Sequence, residues 1–257
     1  MEIKNLFNLK GKTALVTGGS QGIGKAISLA LAEYGANVVI NYRSDKKLAE
    51  ETAGEITQLG VKCLLIQCDL SQLDSAKTIS GFLQEHNLEI DILVINASIQ
   101  IRKSWNEVTP EEFEIQINTN FRASLFLIQK LYPIMQLKKW GRILTIGSVQ
   151  QMRPHQQMIV YAASKVAQLS MVKSLAPQFG SYGVTINNLA PGAFNTGRNE
   201  EVLKDKTYKT NVETKIPMGY IGESSDCAAA ALLLCSDAGR YITGQDIFID
   251  GGMGLNS

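Results

Sequence analysis

Tyr161 and Lys165 stand four positions apart in "VYAASKVAQ" (160–168), a stretch with helical patterning. At that spacing two side chains lie one turn apart on the same helix face. A free phenol ionises near pH ~10, too high for a useful base near neutrality, and an adjacent ammonium favours the phenolate. Such a pair suits proton transfer to and from a hydroxyl or carbonyl oxygen. The same nine residues also read as an ordinary amphipathic helix, so the elements that would position them decide.

Short apolar runs alternate with longer helical patterns along the chain. "TALVT" (13–17), "NVVIN" (37–41), "CLLIQ" (63–67), "DILVI" (91–95), "RILTI" (142–146), "VTINNL" (184–189) and "DIFID" (246–250) read as strands. Their near-continuous apolar character suits strands buried on both faces, as in a parallel sheet. Helical patterns occupy 23–34, 45–59, 72–86, 110–137, 157–179 and 225–235. "TPEE" (109–112) is a start signal, with Thr109 as N-cap, Pro110 at the first position and acids in the first turn. The alternation predicts an α/β fold: a single-domain, Rossmann-type doubly wound parallel sheet of about seven strands with helices on both faces. The polar segment 193–222 interrupts the rhythm and reads either as a lid over a site or as a surface excursion.

The 257 residues, 45% hydrophobic and 19% charged with net charge +1, match an ordinary globular composition. That balance gives no electrostatic case for nucleic acid or an anionic membrane. No apolar run approaches the ~18 residues of a membrane span, and the start "MEIKNLFNLKGK" lacks a secretory pattern, so the expected address is cytoplasmic. Cys63, Cys68, Cys227, Cys235, His86 and His155 show no close ligand spacing, so no metal is expected.

Directly after the first strand comes "TGGSQGIG" (17–24). A glycine-rich strand-to-helix turn lets backbone approach a pyrophosphate, and the helix start offers free N–H groups to it. In such sheets an acid at the tip of the second strand often binds the adenosine ribose. Here the tip reads "NYRSD", and Arg43 and Ser44 instead suit a ribose carrying a 2′-phosphate, unless Arg43 is merely solvated.

With these motifs in order, the sequence resembles the short-chain dehydrogenase/reductase family over essentially its whole length. The glycine loop matches that family's TGxxxGxG, "NAS" (96–98) stands at its NNAG, "YAASK" is its YxxxK, and Pro191-Gly192 with Thr196 is its PG…T element. The fourth strand departs from the pattern, since "VINAS" carries Ile95 and Ser98 where asparagine and glycine are usual. The resemblance implies hydride exchange between nicotinamide and a carbinol or carbonyl carbon. It makes Tyr161 the acid/base and Lys165 its charged neighbour and ribose ligand, with Ser148 bonding the substrate oxygen. Asn120 would hold a water that links Lys165 to solvent. The implied cofactor contacts are Gly18, Ser20, Gln21, Gly22, Ile23, Gly24, Arg43, Ser44, Asp69, Leu70, Asn96, Ala97, Ser98, Tyr161, Lys165, Pro191, Gly192 and Thr196.

The cofactor expected from Arg43 and Ser44 is NADP ahead of NAD. The motifs are closest to members acting on sugars and sugar acids, glucose 1-dehydrogenase-like and gluconate 5-dehydrogenase-like. The 3-oxoacyl-carrier-protein reductases are the alternative, and a catalytically silent nucleotide-binding relative is the alternative of another class. Ser98, Gln100, Arg102, Ser148, Gln150, Arg153, His155, Tyr161 and the stretch 195–199 are expected to face the small-molecule substrate. This polar, partly basic set suits a hydroxylated and anionic compound better than a steroid. A homotetramer, paired through helices 110–137 and 157–179 and the C-terminal strand, is implied by the resemblance.

Overall fold

The structure, a computed structural model, describes residues 2–255. The first strand, β1 (Thr13–Thr17), is buried from Ala14 onward and has a parallel neighbour on each side. The chain continues through α1 (Gly22–Glu33), β2 (Asn37–Tyr42), α2 (Lys46–Gln58), β3 (Cys63–Gln67), α3 (Ser75–Glu85) and β4 (Ile92–Ile95). Then follow α4 (Pro110–Ile117), α5 (Ala123–Lys138), β5 (Gly141–Ile146), α6 (Ile159–Phe179) and β6 (Val184–Pro191). Two-residue β7 (Phe194–Asn195), α7 (Gly197–Leu203), α8 (Lys206–Glu213), β8 (Gly222–Glu223), α9 (Ser224–Cys235) and β9 (Asp246–Ile249) complete the order.

Seven strands form one parallel sheet in the order β3-β2-β1-β4-β5-β6-β9. Because alternate residues of buried strands point to opposite faces, the sheet builds two cores. One face packs Leu15, Leu93 and Ile143 against α3, α5 and α6; the other packs Val16, Val94 and Leu144 against α1 and α9. The order reverses between β1 and β4, so their C-terminal ends open a crevice.

The expected helix 110–137 is not one continuous helix. Thr109 does cap its start, in a reciprocal capping box with Glu112. At Asn118–Arg122, however, the ladder widens into a π-helical turn before α5 begins. An extra residue accommodated this way leaves the apolar pattern nearly unbroken while it turns the backbone. Asp45, read as the start of a helix, is instead the N-cap of α2, accepting from the Leu48 amide at 3.0 Å. The 193–222 segment carries α7 and α8, with its ends joined by the parallel β7–β8 pair.

At the opposite end of the sheet, Arg142 is buried at the start of β5. It donates to the carbonyls of Gly141, Gly183 and Ser236 and pairs with Asp237 at 2.8 Å. Trp140 lies between this guanidinium and Lys12, and its indole also donates to Asp237. The four cysteines are free thiols, and burial pushes Cys63, Cys227 and Cys235 up to about 12 and Cys68 up to about 11, so they stay protonated at neutral pH. No helix among the described residues is long and apolar enough to cross a membrane.

Candidate active site

The buried face of α6 begins polar and ends apolar. Tyr161, Ser164, Lys165 and Gln168 occupy its first half, while Met171, Val172, Ala176 and Phe179 occupy its second. Burying an ammonium costs several kcal/mol unless polar partners replace water. Lys165, 1% exposed, donates to the Ile146 carbonyl at 2.6 Å and to Gln168 Oε1 at 3.3 Å. Its nitrogen sits 5.7 Å from the centroid of the Tyr161 ring. The lysine thereby docks α6 onto the last residue of β5, two positions before Ser148.

Ser148 follows that strand end and is 8% exposed. Its hydroxyl accepts from the Gln150 amide, and Gln151 Oε1 accepts from its own N–H. Gln151 in turn donates to Asp246 at 2.6 Å, while Asn188 bridges Asp246, Gln151 and Thr145. A row of side chains across β5, β6 and β9 therefore fixes the turn that carries Ser148.

Asn120 sits on the π turn and is fully buried. Its amide makes a reciprocal pair with the Ile99 backbone, accepting at 2.8 Å and donating at 2.9 Å, and also donates to Ser164 Oγ at 3.0 Å. The Ser164 hydroxyl in turn donates a hydrogen bond to the Tyr161 carbonyl at 2.7 Å. The Asn120 carbonyl accepts from Ser124 Oγ and from Gln168 Nε2. Asn120 is thus linked to Tyr161 through Ser164 and to Lys165 through Gln168, and Ser148 joins them by its place on the same strand end.

The glycine loop lies beside them at the crevice. Gly18 and Gly22 adopt φ +60° and +52°, conformations that favour glycine. Asn96 stitches this loop to the end of β4, donating to the carbonyls of Thr17 and Gly18 at 3.0 Å, while the Asn96 and Ala97 amides share Thr17 Oγ1. A Cβ on Gly22 would sit 3.5 Å from the Thr196 methyl, and Pro191-Gly192 closes the far side where Gly192 donates to Ile249. Ser20 is buried and its carbonyl accepts from Thr52; Gln21 is exposed at the N-cap, with Ile23 and Gly24 opening α1. Asp69 accepts from the Ser71 amide, Leu70 is buried, and Ser98 holds a place at the crevice edge. This glycine cradle at a helix N-terminus fits a dinucleotide pyrophosphate. Past β2, Arg43 and Ser44 are exposed, while Asn41 turns inward to the carbonyls of Ile66 and Cys68.

Of the residues expected to face substrate, Arg102 donates to the Tyr208 phenol on α8 at 3.3 and 3.4 Å, and among the described residues no ion pair joins it to Glu107. Burial, then the positive charges of Arg102 and Lys215, hold His155 below its usual range. Three basic groups from separate segments therefore share one neighbourhood. Tyr208 and Lys215 had no local signal, since both lie in the polar stretch after β6. Gln150 Oε1 accepts from the His155 amide at 2.6 Å. Arg153 donates from Nη1 to the Met253 carbonyl at 2.6 Å.

A family model described as enoyl-(acyl carrier protein) reductase matches residues 18–254. The chain is a short-chain dehydrogenase/reductase. 3β-Hydroxysteroid dehydrogenase 1 of Eggerthella lenta is 35% identical over 249 residues, 96% of this chain and 95% of that one. A solved 3-oxoacyl (acyl-carrier-protein) reductase from Agrobacterium tumefaciens C58 with NADP bound superposes with TM-score 0.93 at 35% identity, covering 98% and 97% of the two chains. A gluconate 5-dehydrogenase from Burkholderia cenocepacia J2315, in complex with NADP and tartrate, gives TM-score 0.92 at 29% identity, covering 100% of each. The protein is accordingly an NAD(P)-dependent oxidoreductase of CH–OH groups.

The loop geometry generates a sharp contrast between two glycines. A methyl on Gly24 would overlap the Gly18 carbonyl oxygen and crowd Asn96, whereas one on Gly54 in α2 meets nothing within 4 Å. Gly24→Ala is expected to weaken NADPH binding, read by fluorescence titration, by about tenfold or more and to lower the melting temperature. Gly54→Ala should leave binding unchanged and stabilise the fold by about 0.5–1 kcal/mol in urea unfolding.

Proposed function

We propose that this enzyme oxidises a secondary hydroxyl, or reduces the matching ketone, of a sugar acid, with NADP(H) as preferred cofactor and Asn120, Ser148, Tyr161 and Lys165 as its catalytic centre. The observation that carries the reaction is a fully buried lysine ammonium beside the Tyr161 ring at the C-terminal end of β5. The bound nicotinamide supplies the hydride acceptor or donor. In oxidation the substrate hydroxyl gives its proton to Tyr161 Oη as the carbinol carbon loses hydride; in reduction both transfers reverse. Lys165 places positive charge where negative charge develops on that oxygen, and Ser148 Oγ donates to the substrate oxygen. Asn120 anchors α6 through Ser164 and so orients the pair.

The substrate's charge is argued from Arg102, His155 and Lys215, which gather on the side of the site covered by α8. A carboxylate would offset the positive charges of Arg102 and Lys215, and the planar guanidinium would grip it through two parallel bonds. The likeness to the Burkholderia gluconate 5-dehydrogenase, solved in complex with NADP and tartrate, supports an acidic substrate. Residues 193–222 then act as a lid, tied to the site by the Arg102–Tyr208 contact and hinged where β7 meets β8. The likeness to the Agrobacterium reductase favours a second reading, a 3-oxoacyl ketone substrate. Exposed Phe113, Phe126, Ile159 and Val166 on α4, α5 and α6 support assembly through those helices, as expected for a tetramer.

Three measurements bear on these assignments. Tyr161→Phe keeps the ring and lacks the acid; kcat should fall about 10²–10⁴-fold with NADPH affinity near wild type, and near-normal turnover would remove Tyr161 from its role. The ratio of kcat/KM for NADPH over NADH should favour NADPH by about tenfold and collapse in Arg43→Ala; a ratio favouring NADH that ignores the substitution would reverse the preference. Arg102→Ala should raise KM for gluconate about tenfold while hardly changing that for an uncharged polyol, with Arg102→Lys recovering part. Equal effects on both substrates would move the acyl-ketone reading ahead.

A further inference from the structure

Gln168 lies nearly one turn beyond Lys165 on the inner face of α6 and is fully shielded from solvent. A buried carboxamide must find partners for one acceptor and two donors. Gln168 Oε1 accepts from Lys165 Nζ at 3.3 Å. Its Nε2 donates to the Asn120 carbonyl at 3.3 Å and to Ser124 Oγ at 3.0 Å. Ser124 Oγ, in turn, donates to that same carbonyl at 2.8 Å. One amide therefore spans the distance between the ammonium on α6 and the backbone of the π turn. An apolar side chain of similar length would take an acceptor from a buried cation and a donor from a buried carbonyl, both costly losses.

We propose that Gln168 is a positioning residue of the catalytic centre, whose amide holds the Lys165 ammonium in register with Tyr161 and ties it to the π turn through a group that transmits position but not protons. A carboxamide neither gains nor loses a proton near neutral pH, so this link is not a relay. The inference rests on the reading of Tyr161 and Lys165 as the acid/base pair, which the control below tests separately.

The experiment uses the full-length enzyme with NADP⁺ and gluconate, or with NADPH and ethyl 3-oxobutanoate, whichever pair the wild type turns over, with Tyr161→Phe alongside. Gln168→Met preserves length and burial without an acceptor for Lys165. Its kcat should fall about tenfold or more with substrate KM within about threefold, because misplacing the charge affects the transition state more than binding. The pH limb of kcat that tracks the acid/base group should also move upward by about half a unit or more. Gln168→Glu restores an acceptor but offsets the ammonium's charge, so in oxidation it should regain kcat only at alkaline pH, while in reduction its falling limb should move to higher pH. A purely space-filling role would lower the melting temperature and leave kcat and both limbs at wild-type values, and that result overturns the proposal.

A crystal structure of Gln168→Ala needs no substrate. Displacement of Lys165 Nζ by about 1 Å or more, or a water in the amide's place touching both Lys165 and the Asn120 carbonyl, supports the role. An unmoved ammonium above an empty gap overturns it. Full turnover by Tyr161→Phe would sink the acid/base reading and this inference together. An inactive Tyr161→Phe beside unaffected Gln168→Met and Gln168→Glu would sink the inference alone.

Discussion

An ammonium ion taken out of water must be given oxygen atoms at fixed places, and the bond from Lys165 to the Ile146 carbonyl meets that demand. It joins the middle of the sheet to the first turns of α6, so the helix cannot slide along the sheet without stranding a charge. Everything else near the crevice is arranged around that constraint. Tyr161 lies one turn before the lysine, Ser164 adjoins it and reaches Asn120, and Ser148 leaves β5 just after the carbonyl that the lysine holds.

A second network supports the opposite wall. Asp246 on β9 accepts from both Gln151 and Asn188, and Asn188 accepts from Thr145, so three adjacent strands share one carboxylate. Gly147, in the turn after β5, leaves no room for a side chain beside these amides. The glycine loop is stitched down by Asn96 in the same manner. Each stitch satisfies buried polar atoms that would otherwise be expensive, which explains how so polar a region sits at the heart of an apolar sheet.

The sheet was legible because buried parallel strands leave continuous apolar runs, and the Tyr161–Lys165 pair because helical spacing alone puts them on one face. Thr109 and the glycine loop carried signals of local origin, a cap and a turn. The π turn at Asn118–Arg122 was not legible, since one extra residue barely disturbs an apolar periodicity that runs from α4 into α5. Gln168 stood in plain view three positions after Lys165, but no local rule says that its amide reaches a residue 48 positions earlier in the chain. Arg153 shows the same limit from the other side. Its charge suited a substrate, and nothing local foretold that one of its N–H groups reaches the Met253 carbonyl, 100 residues later. Lys215 and Tyr208 join Arg102 and His155 only after the fold has closed.

The strand β5 carries a buried cation at each end, Arg142 below and Lys165 above. Arg142, braced by Asp237 and by Trp140, secures the floor of the molecule far from any bound reactant. Stability and selectivity are therefore entrusted to different ends of the same strand. Mutational drift in the crevice loops draws on a reserve that those loops do not themselves supply, which lets one scaffold wander from one alcohol to another without first losing its shape.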